Sequence, residues 1–266
     1  MKIRNLMVAA TLLVTAGAMA QNQDCAFFFP NQEGEQITRN CYTADGKLTN
    51  ILVYRVDQAY EYPSGMEVVA NYTFADAAGK TLNSGQMVAR CSDGNFSMSM
   101  GDVATFPTAL NMMNADVYMM GDLMNYPDAF SNPMNPGDDD EFDDGTLRLY
   151  QKGNKNNRAE ISVFDREFVT TETVNTPAGA FYCTKVKYEM NIWTPKETIK
   201  GYGYEWYAPN IGIVRSEQYN NKKELQSYSV LERIKKWRSG LYISVIPAIR
   251  SERIAGIYLT SLQELQ

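Results

Sequence analysis

The chain has 266 residues, of which 44% are hydrophobic and 21% charged, with 25 basic residues, 31 acidic residues and no histidine. Its length fits one globular domain, since single all-β domains reach about 200–250 residues. Without histidine the chain lacks the commonest general base at neutral pH and the imidazole metal ligand. Ser-His-Asp catalysis, Cys-His catalysis and the HExxH zinc site are therefore excluded.

The N-terminus has the pattern of a secretory signal peptide. Lys2 and Arg4 precede an apolar run from Leu6 to Gly17, and a small-residue cleavage site ends at Ala20. The run has about a dozen residues, fewer than the roughly 20 that span a bilayer. We therefore expect residues 1–20 to be removed and the mature chain to be periplasmic or secreted.

The charge of the mature chain limits its partners. Loss of the two basic residues of the signal peptide changes the formal net charge from −6 to −8. Nucleic acids are bound mainly through positive charge, so we expect no nucleic-acid partner.

The mature chain keeps four cysteines, none of them in a CxxC motif. Cys25 follows polar residues instead of the small apolar residues of a lipoprotein signal, so we expect no lipid anchor there. An even number of cysteines in an exported chain favours two disulfides, with three pairings open; buried free thiols are the alternative. The disulfide candidates are Cys25, Cys41, Cys91 and Cys183.

Alternation of apolar and polar residues dominates the chain and predicts a β protein. Met87 to Cys91 alternates, residues 92–95 form a polar turn, and Phe96 to Met100 alternates again, which is typical of a β-hairpin. About ten strands follow from this pattern, enough for a curved antiparallel sheet or half-open β-barrel. Besides this hairpin, strands are predicted at 36–42, 47–56, 66–74, 146–150, 159–170, 181–193, 202–207, 213–219 and 226–234.

Two segments lack this alternation. Residues 101–145 predict one short helix, Ala104 to Met113, inside a long loop inserted in the β domain of residues 21–236. A loop of this length is often a lid or a binding element. Residues 237–266 form an atypical tail that has neither the turns nor the aromatic spacing of the preceding strands.

An acidic run from Asp138 to Asp144 holds six carboxylates. Such a run can bind Ca²⁺, but the spacing does not match an EF-hand loop, and a solvated acidic loop is the simpler interpretation. A carboxylate pair for glycoside hydrolysis is a further alternative, although adjacency in sequence does not set the separation that this reaction needs. We expect no metal and no cofactor.

Methionine and aromatic residues supply the candidate ligand-binding side chains. Eight of the eleven methionines of the mature chain lie between Met98 and Met134. Thioethers can hold Cu(I), but adaptable apolar packing, in the core or against a ligand, is the better interpretation. The rings of residues 202, 204 and 206 alternate and so share one sheet face, either in the core or at a ligand. The candidate ligand-binding residues are Met98, Met100, Met120, Tyr204 and Trp206.

Two motifs carry a family resemblance. The segments TPAGAFYCTK at residues 176–185 and EWYAPNIGIVRSE at residues 205–217 each combine a tight turn with a strand. With FFFP at 27–30 and SYSVL at 227–231, the chain resembles the TapB-like family of exported, β-rich bacterial envelope proteins. The resemblance implies a curved antiparallel domain in the periplasm, similar to half-open barrels that carry lipids or lipoproteins, and it names no catalytic residue.

These observations favour a non-enzymatic binding or carrier protein for an apolar small molecule or lipid. The alternative is a structural or assembly factor of the envelope that contacts another envelope protein through a sheet edge or the acidic loop. An enzyme is the third hypothesis, with carboxylates, tyrosine or lysine as its acid-base groups.

Overall fold

A computed structural model describes residues 27–92, 95–99, 117–126, 142–151 and 153–236. The predicted signal peptide, Cys25, Met100, the predicted short helix and the tail from residue 237 all lie outside the described residues. The described residues contain no helix, and thus none that could cross a membrane.

The described residues form thirteen β-strands in one antiparallel sheet. Most boundaries fall within a few residues of the predicted ones, but the prediction of about ten strands is too low. The strands are β1 Gln36–Thr43, β2 Leu48–Tyr62, β3 Gly65–Asp76, β4 Thr81–Ser92, β5 Asn95–Ser99, β6 Val117–Gly121, β7 Leu123–Tyr126, β8 Gly145–Gln151, β9 Asn154–Thr176, β10 Gly179–Trp193, β11 Thr198–Ala208, β12 Gly212–Asn220 and β13 Leu225–Lys235.

Two of the additional strands lie in the segment predicted as a long loop. Within residues 101–145, Val117–Gly121 is β6 and Leu123–Tyr126 is β7. The prediction of a loop is therefore wrong for these two stretches. Their Met-rich sequence does not alternate cleanly, because residues 117–120 are all apolar, and periodicity could not identify them as strands.

These two strands bring the edges of the sheet together into a nearly closed barrel. In the sheet order β6-β8-β9-β10-β11-β12-β13-β1-β2-β3-β4-β5-β7, the edge strands β6 and β7 are consecutive in the chain and separated by Asp122 alone. Gly121 pairs with Leu147 of β8, and Leu123 pairs with Ser99 of β5. One continuous segment thus joins both edges of the sheet.

Asp122 fastens this junction to β8. Its backbone N–H donates to the carbonyl of Thr146 at 3.0 Å, and its carboxylate accepts from the Thr146 N–H at 2.9 Å. On the other edge, the Ser99 hydroxyl donates to the Gly121 carbonyl at 3.3 Å. Closure of the sheet removes most of the open edge that would otherwise favour pairing with other chains.

The inner face of the barrel is packed with large side chains, and glycines of β11 make room for them. Tyr188 of β10 lies opposite Gly203, and Met190 lies opposite Gly201. A Cβ atom at Gly203 would lie 2.3 Å from the ring and hydroxyl of Tyr188 and 2.8 Å from the carbonyl oxygen of Glu217. The fully buried Tyr188 ring therefore depends on the missing side chain at residue 203.

Gly203→Ala is expected to destabilise the barrel by about 1–3 kcal/mol, the usual range for overpacking a filled core. Urea unfolding at neutral pH measures this change. In a Tyr188→Leu background the ring is gone, so the same substitution should cost less. Equal costs in both backgrounds would show that the contact with Tyr188 is not the cause.

Candidate functional site

The N-terminal segment Phe27–Pro30 belongs to no strand and packs its three rings into the barrel. The Phe28 ring contacts Phe96 edge to face at 6.1 Å between centroids, and the Phe29 ring contacts Tyr54 at 5.4 Å. The Asn210 N–H donates to the Phe27 carbonyl at 2.6 Å. The FFFP motif thus fills one end of the barrel and is held by the turn between β11 and β12.

A small cavity of about 20 Å³ lies behind this segment. That volume holds about one water-sized molecule. Arg39 is the one charged residue in a wall that is otherwise apolar or aromatic. The wall consists of Phe28, Phe29, Ile37, Arg39, Tyr54, Met87, Met98, Ile211, Gly212 and Ile213.

Arg39 points into the barrel from the middle of β1 and is only 2% exposed. Its Nε and Nη2 atoms have no hydrogen-bond partner among the described residues. The pairing of β1 with β13 shifts register between Thr38 and Arg39, which marks a bulge at this position. Bulges commonly redirect a side chain next to a functional site. An uncompensated buried charge of this kind costs several kcal/mol.

A row of four polar residues and the Cys41 thiol crosses five adjacent strands next to Arg39. Strand register pairs Glu205 with Ser216, Ser216 with Ser229, Ser229 with Cys41, and Cys41 with Asn50. All five are buried, and the two serine hydroxyls lie 2.7 Å apart. We call this row of five residues the polar belt.

A second buried guanidinium, that of Arg166, lies in a compensated environment. It stacks over the ring of Tyr126 at 4.7 Å and over that of Phe142 at 5.0 Å. The Tyr207 hydroxyl donates to Glu205 at 2.5 Å and lies 3.3 Å from the Tyr126 hydroxyl, which must then be the donor between the two tyrosines. We call these five residues the Arg166 cluster.

The pKa values of this cluster follow from burial and from its single carboxylate. Burial, followed by the negative charge of Glu205, raises the pKa of Tyr207 well above its usual range. Burial lowers the pKa of Arg166, but Tyr126, Tyr207 and Glu205 more than offset this and the net shift is upward. Both groups therefore keep their protons at neutral pH, and the cluster offers no general base at its tyrosines.

Two of the predicted ligand-binding residues, Tyr204 and Trp206, lie on the face of β11 opposite Gly203 and Glu205, where Trp206 is buried in the core and Tyr204 is half-buried. In the pairing with β10, Trp206 lies opposite Lys185 and Tyr204 lies opposite Lys187. These lysines alternate along β10 with inward residues that are fully buried. The Lys185 ammonium lies 4.5 Å from the Tyr204 ring centroid and 4.6 Å from that of Trp206. The ring faces are thus covered by a cation, and these two side chains do not reach the cavity.

The predicted methionines are also separated. Met98 is buried on the inner face of β5 and lines the cavity, as expected from the hairpin pattern. Met120 is 62% exposed and lines an open groove of about 530 Å³ with Tyr118, Met119, Tyr150, Gln151 and Gly153. Met100 lies outside the described residues. The structure therefore does not bring the predicted ligand-binding residues into one site.

The cysteines differ from the expectation of two disulfides. Cys41 and Cys183 are both free and buried, which makes that expectation wrong. In the sheet their strands, β1 and β10, are separated by three others, whereas a disulfide needs Cα atoms within about 7 Å. Cys91 is not one of the free thiols, and Cys25 lies outside the described residues.

The described residues contain no group of three or more side chains suited to hold a metal ion. Most of the acidic run lies outside the described residues. Of its described members, Asp143 has a local role, because its carboxylate accepts from the backbone and side-chain amides of Asn125 at 3.2 and 2.7 Å.

Sequence reasoning did not single out Arg39, Arg166 or Glu205. For Arg39 the signal is present, because it alternates with the apolar residues Ile37 and Cys41 and so shares their face. Arg166 gives no such signal. It follows Asp165, whose positive φ of 49° marks an irregularity that shifts the alternation of β9.

Comparison with known proteins gives a family and a close structural relative. The DUF3108-like family model matches residues 32–231, which contain twelve strands completely and most of the thirteenth. The crystal structure of a putative lipoprotein from Parabacteroides distasonis is 42% identical, with a TM-score of 0.73, and the match covers 80% of this chain and 100% of that chain. No curated protein matches the chain.

A second solved structure, the hypothetical lipoprotein YmcC from Escherichia coli, matches at 8% identity and a TM-score of 0.26, covering 77% of this chain and 87% of that one. The matching family model is DUF3108-like, so a domain of unknown function is confirmed, while the TapB-like name stays a prediction.

The buried thiol next to Arg39 predicts a pH dependence of stability. Burial raises the pKa of Cys41 from 9.0 to about 11, although the nearby charge of Arg39 lowers it. The unfolded thiol ionises first, so the stabilisation is complete below pH 9 and is lost as the pH rises towards 11. The loss is about 2–3 kcal/mol, at about 1.4 kcal/mol for each pH unit between the two pKa values.

Urea midpoints at pH 8 and pH 10.5 measure this loss. Cys41→Ala removes the thiol and should show a smaller decrease than the wild type, while the buried tyrosines contribute equally to both proteins. An identical decrease in both would contradict the assignment to Cys41.

Proposed function

Since the chain belongs to the DUF3108-like family and the matched region is the barrel itself, we propose that this barrel is a non-enzymatic binding or carrier protein for an apolar molecule or lipid. The observation that carries the proposal is the apolar cavity between Arg39 and the rings of Phe28 and Phe29. Small-molecule sites are typically concave and mostly apolar, with few polar groups that fix the ligand's orientation.

The segment Phe27–Pro30 gives the cavity a way to enlarge. It forms no part of the sheet, so its displacement breaks no strand pairing. Three aromatic side chains would leave the barrel with it, and each buries about 150–250 Å². A ligand that replaces these rings shields the apolar inner face from water, whereas displacement of the rings without a ligand would expose it.

The proposed location is the bacterial envelope. The predicted signal peptide supports export, and the relative from Parabacteroides distasonis carries the description of a lipoprotein.

Native mass spectrometry of the protein purified from a bacterial envelope tests the carrier function. The wild type is expected to carry an apolar molecule that extraction and mass spectrometry then identify. Met98→Phe adds a ring to the cavity wall and should reduce the bound fraction at least about fivefold, since the larger side chain takes up part of the space that displacement of the Phe28 and Phe29 rings would open. Met190→Phe makes the same change on the inner face away from the cavity and should retain the ligand.

Thermal melting of both variants shows whether they are folded. An empty wild-type protein would overturn the proposed function. Equal ligand content in the two variants would place the ligand elsewhere and contradict the assignment to this cavity.

The groove at β6 and β8 favours a second candidate function, an assembly factor that contacts another envelope protein. Tyr118 and Met120 are 60% and 62% exposed there. Exposed apolar patches on exported proteins commonly mark sites of protein–protein contact. The groove lies along the edge strand β6 and the end of β8, so a partner bound there would cover this edge of the sheet.

Crosslinking in cells followed by pull-down tests this second function. Tyr118→Glu places a charge in the groove and should abolish recovery of a reproducible protein partner. Tyr62→Glu changes an exposed tyrosine outside the groove and should leave recovery unchanged. Absence of any reproducible partner, or recovery with both variants, would contradict an assembly role for the groove.

A further inference from the structure

The guanidinium of Arg39 is buried, and no carboxylate of the described residues forms an ion pair with it. Its cross-strand neighbours on the inner face are Leu52 and Leu231, both fully buried and apolar. Along β1 its neighbours on that face are Ile37 and Cys41. Burial keeps the Cys41 thiol protonated at neutral pH, because its pKa is raised to about 11. No anionic group therefore adjoins Arg39 within its own part of the sheet.

The buried carboxylates of the described residues are engaged elsewhere. Glu205 accepts a hydrogen bond from the Tyr207 hydroxyl, and its negative charge raises the pKa of Arg166. Glu35 lies four residues before Arg39, which is about 13 Å along an extended strand. The positive charge of Lys236 acts on Glu35 and lowers its pKa, against the larger effect of burial. Among the described residues, the barrel interior thus holds the guanidinium groups of Arg39 and Arg166 and one central carboxylate, that of Glu205, which leaves this interior with a net positive charge.

The surroundings of Arg39 have two sides of different polarity. On one side lies the cavity with the rings of Phe28, Phe29 and Tyr54. On the other side, two residues along β1, lies the polar belt with Cys41. A charged group placed between an apolar chamber and a polar row matches a molecule that has a charged head and an apolar tail.

We propose that Arg39 is the head-group receptor of the barrel, and that the ligand is a single-tailed anionic amphiphile with a carboxylate or phosphate head. This inference rests on the proposed carrier function and names its ligand class. The planar guanidinium can donate two parallel hydrogen bonds to such a head, and Nε and Nη2 are the two atoms left without partners. The tail takes the place of the Phe28 and Phe29 rings, since the cavity alone holds about one water-sized molecule.

The test compares three probes with the same sixteen-carbon tail, about the length of a common acyl chain: hexadecanoate, hexadecyl phosphate and hexadecanol. Calorimetric titration of the mature wild-type protein is expected to show at least about tenfold tighter binding of one or both anions than of the alcohol. Arg39→Met keeps a side chain of similar length and should remove this preference while leaving the affinity for hexadecanol unchanged. Arg55→Met changes an exposed arginine of β2 and should alter nothing.

Loss of folding does not explain the expected result. Replacing a buried charge that has no partner by an apolar side chain is often neutral or stabilising, so Arg39→Met is expected to melt no lower than the wild type. A second readout uses the two free thiols. Saturation with the anion should slow alkylation of Cys41 at least about fivefold, while Cys183, on another strand, reacts at an unchanged rate.

The outcomes separate the head-group assignment from the carrier function. A preference for hexadecanoate over hexadecyl phosphate supports a fatty-acid type of ligand, and the reverse supports a phospholipid-derived one. Equal affinities for all three probes, unchanged in Arg39→Met, would overturn the head-group assignment but leave the carrier function standing. Absence of binding by any probe would overturn both.

Discussion

The closure of the sheet at Asp122 is the constraint on which the rest of the structure depends. A segment of ten residues, 117–126, pairs with β8 through its first half and with β5 through its second half. Once the edges meet, every inward side chain shares one enclosed interior with little access to water. Apolar residues are stabilised there, and each charge must find a counter-charge, a ring face or a ligand.

The interior is filled by a segment that is not part of the sheet. A barrel of thirteen strands has a wide cross-section, and inward side chains alone fill a barrel of about eight strands. Phe27–Phe29 add three buried rings to the core that the inward strand residues form. Two of the ten residues that line the cavity, Phe28 and Phe29, come from this short stretch ahead of β1, which pairs with no strand.

Alternation in the sequence predicted the β class, the hairpins and most strands, because period two is a direct consequence of strand geometry. It could not tell which face of β11 turns inward. The rings of Tyr202, Tyr204 and Trp206 share one face of β11, and Glu205 lies on the other face. Carboxylates are usually exposed, so the sequence alone favours an outward position for Glu205. The structure buries Glu205 because Tyr207 donates to it inside the barrel, and this contact between residues two apart carries no sequence signal.

The two inward arginines show how differently one fold can treat the same side chain. Arg166 lies between aromatic rings and within the field of Glu205, so its charge is compensated by the protein itself. Arg39 lies between leucines, beside a protonated thiol and a cavity. Hydrophobic burial elsewhere in the barrel offsets the cost of that isolated charge. In the proposed carrier, the isolated guanidinium in an apolar wall would attract an anionic head more strongly than an uncharged one, because its charge is poorly screened there.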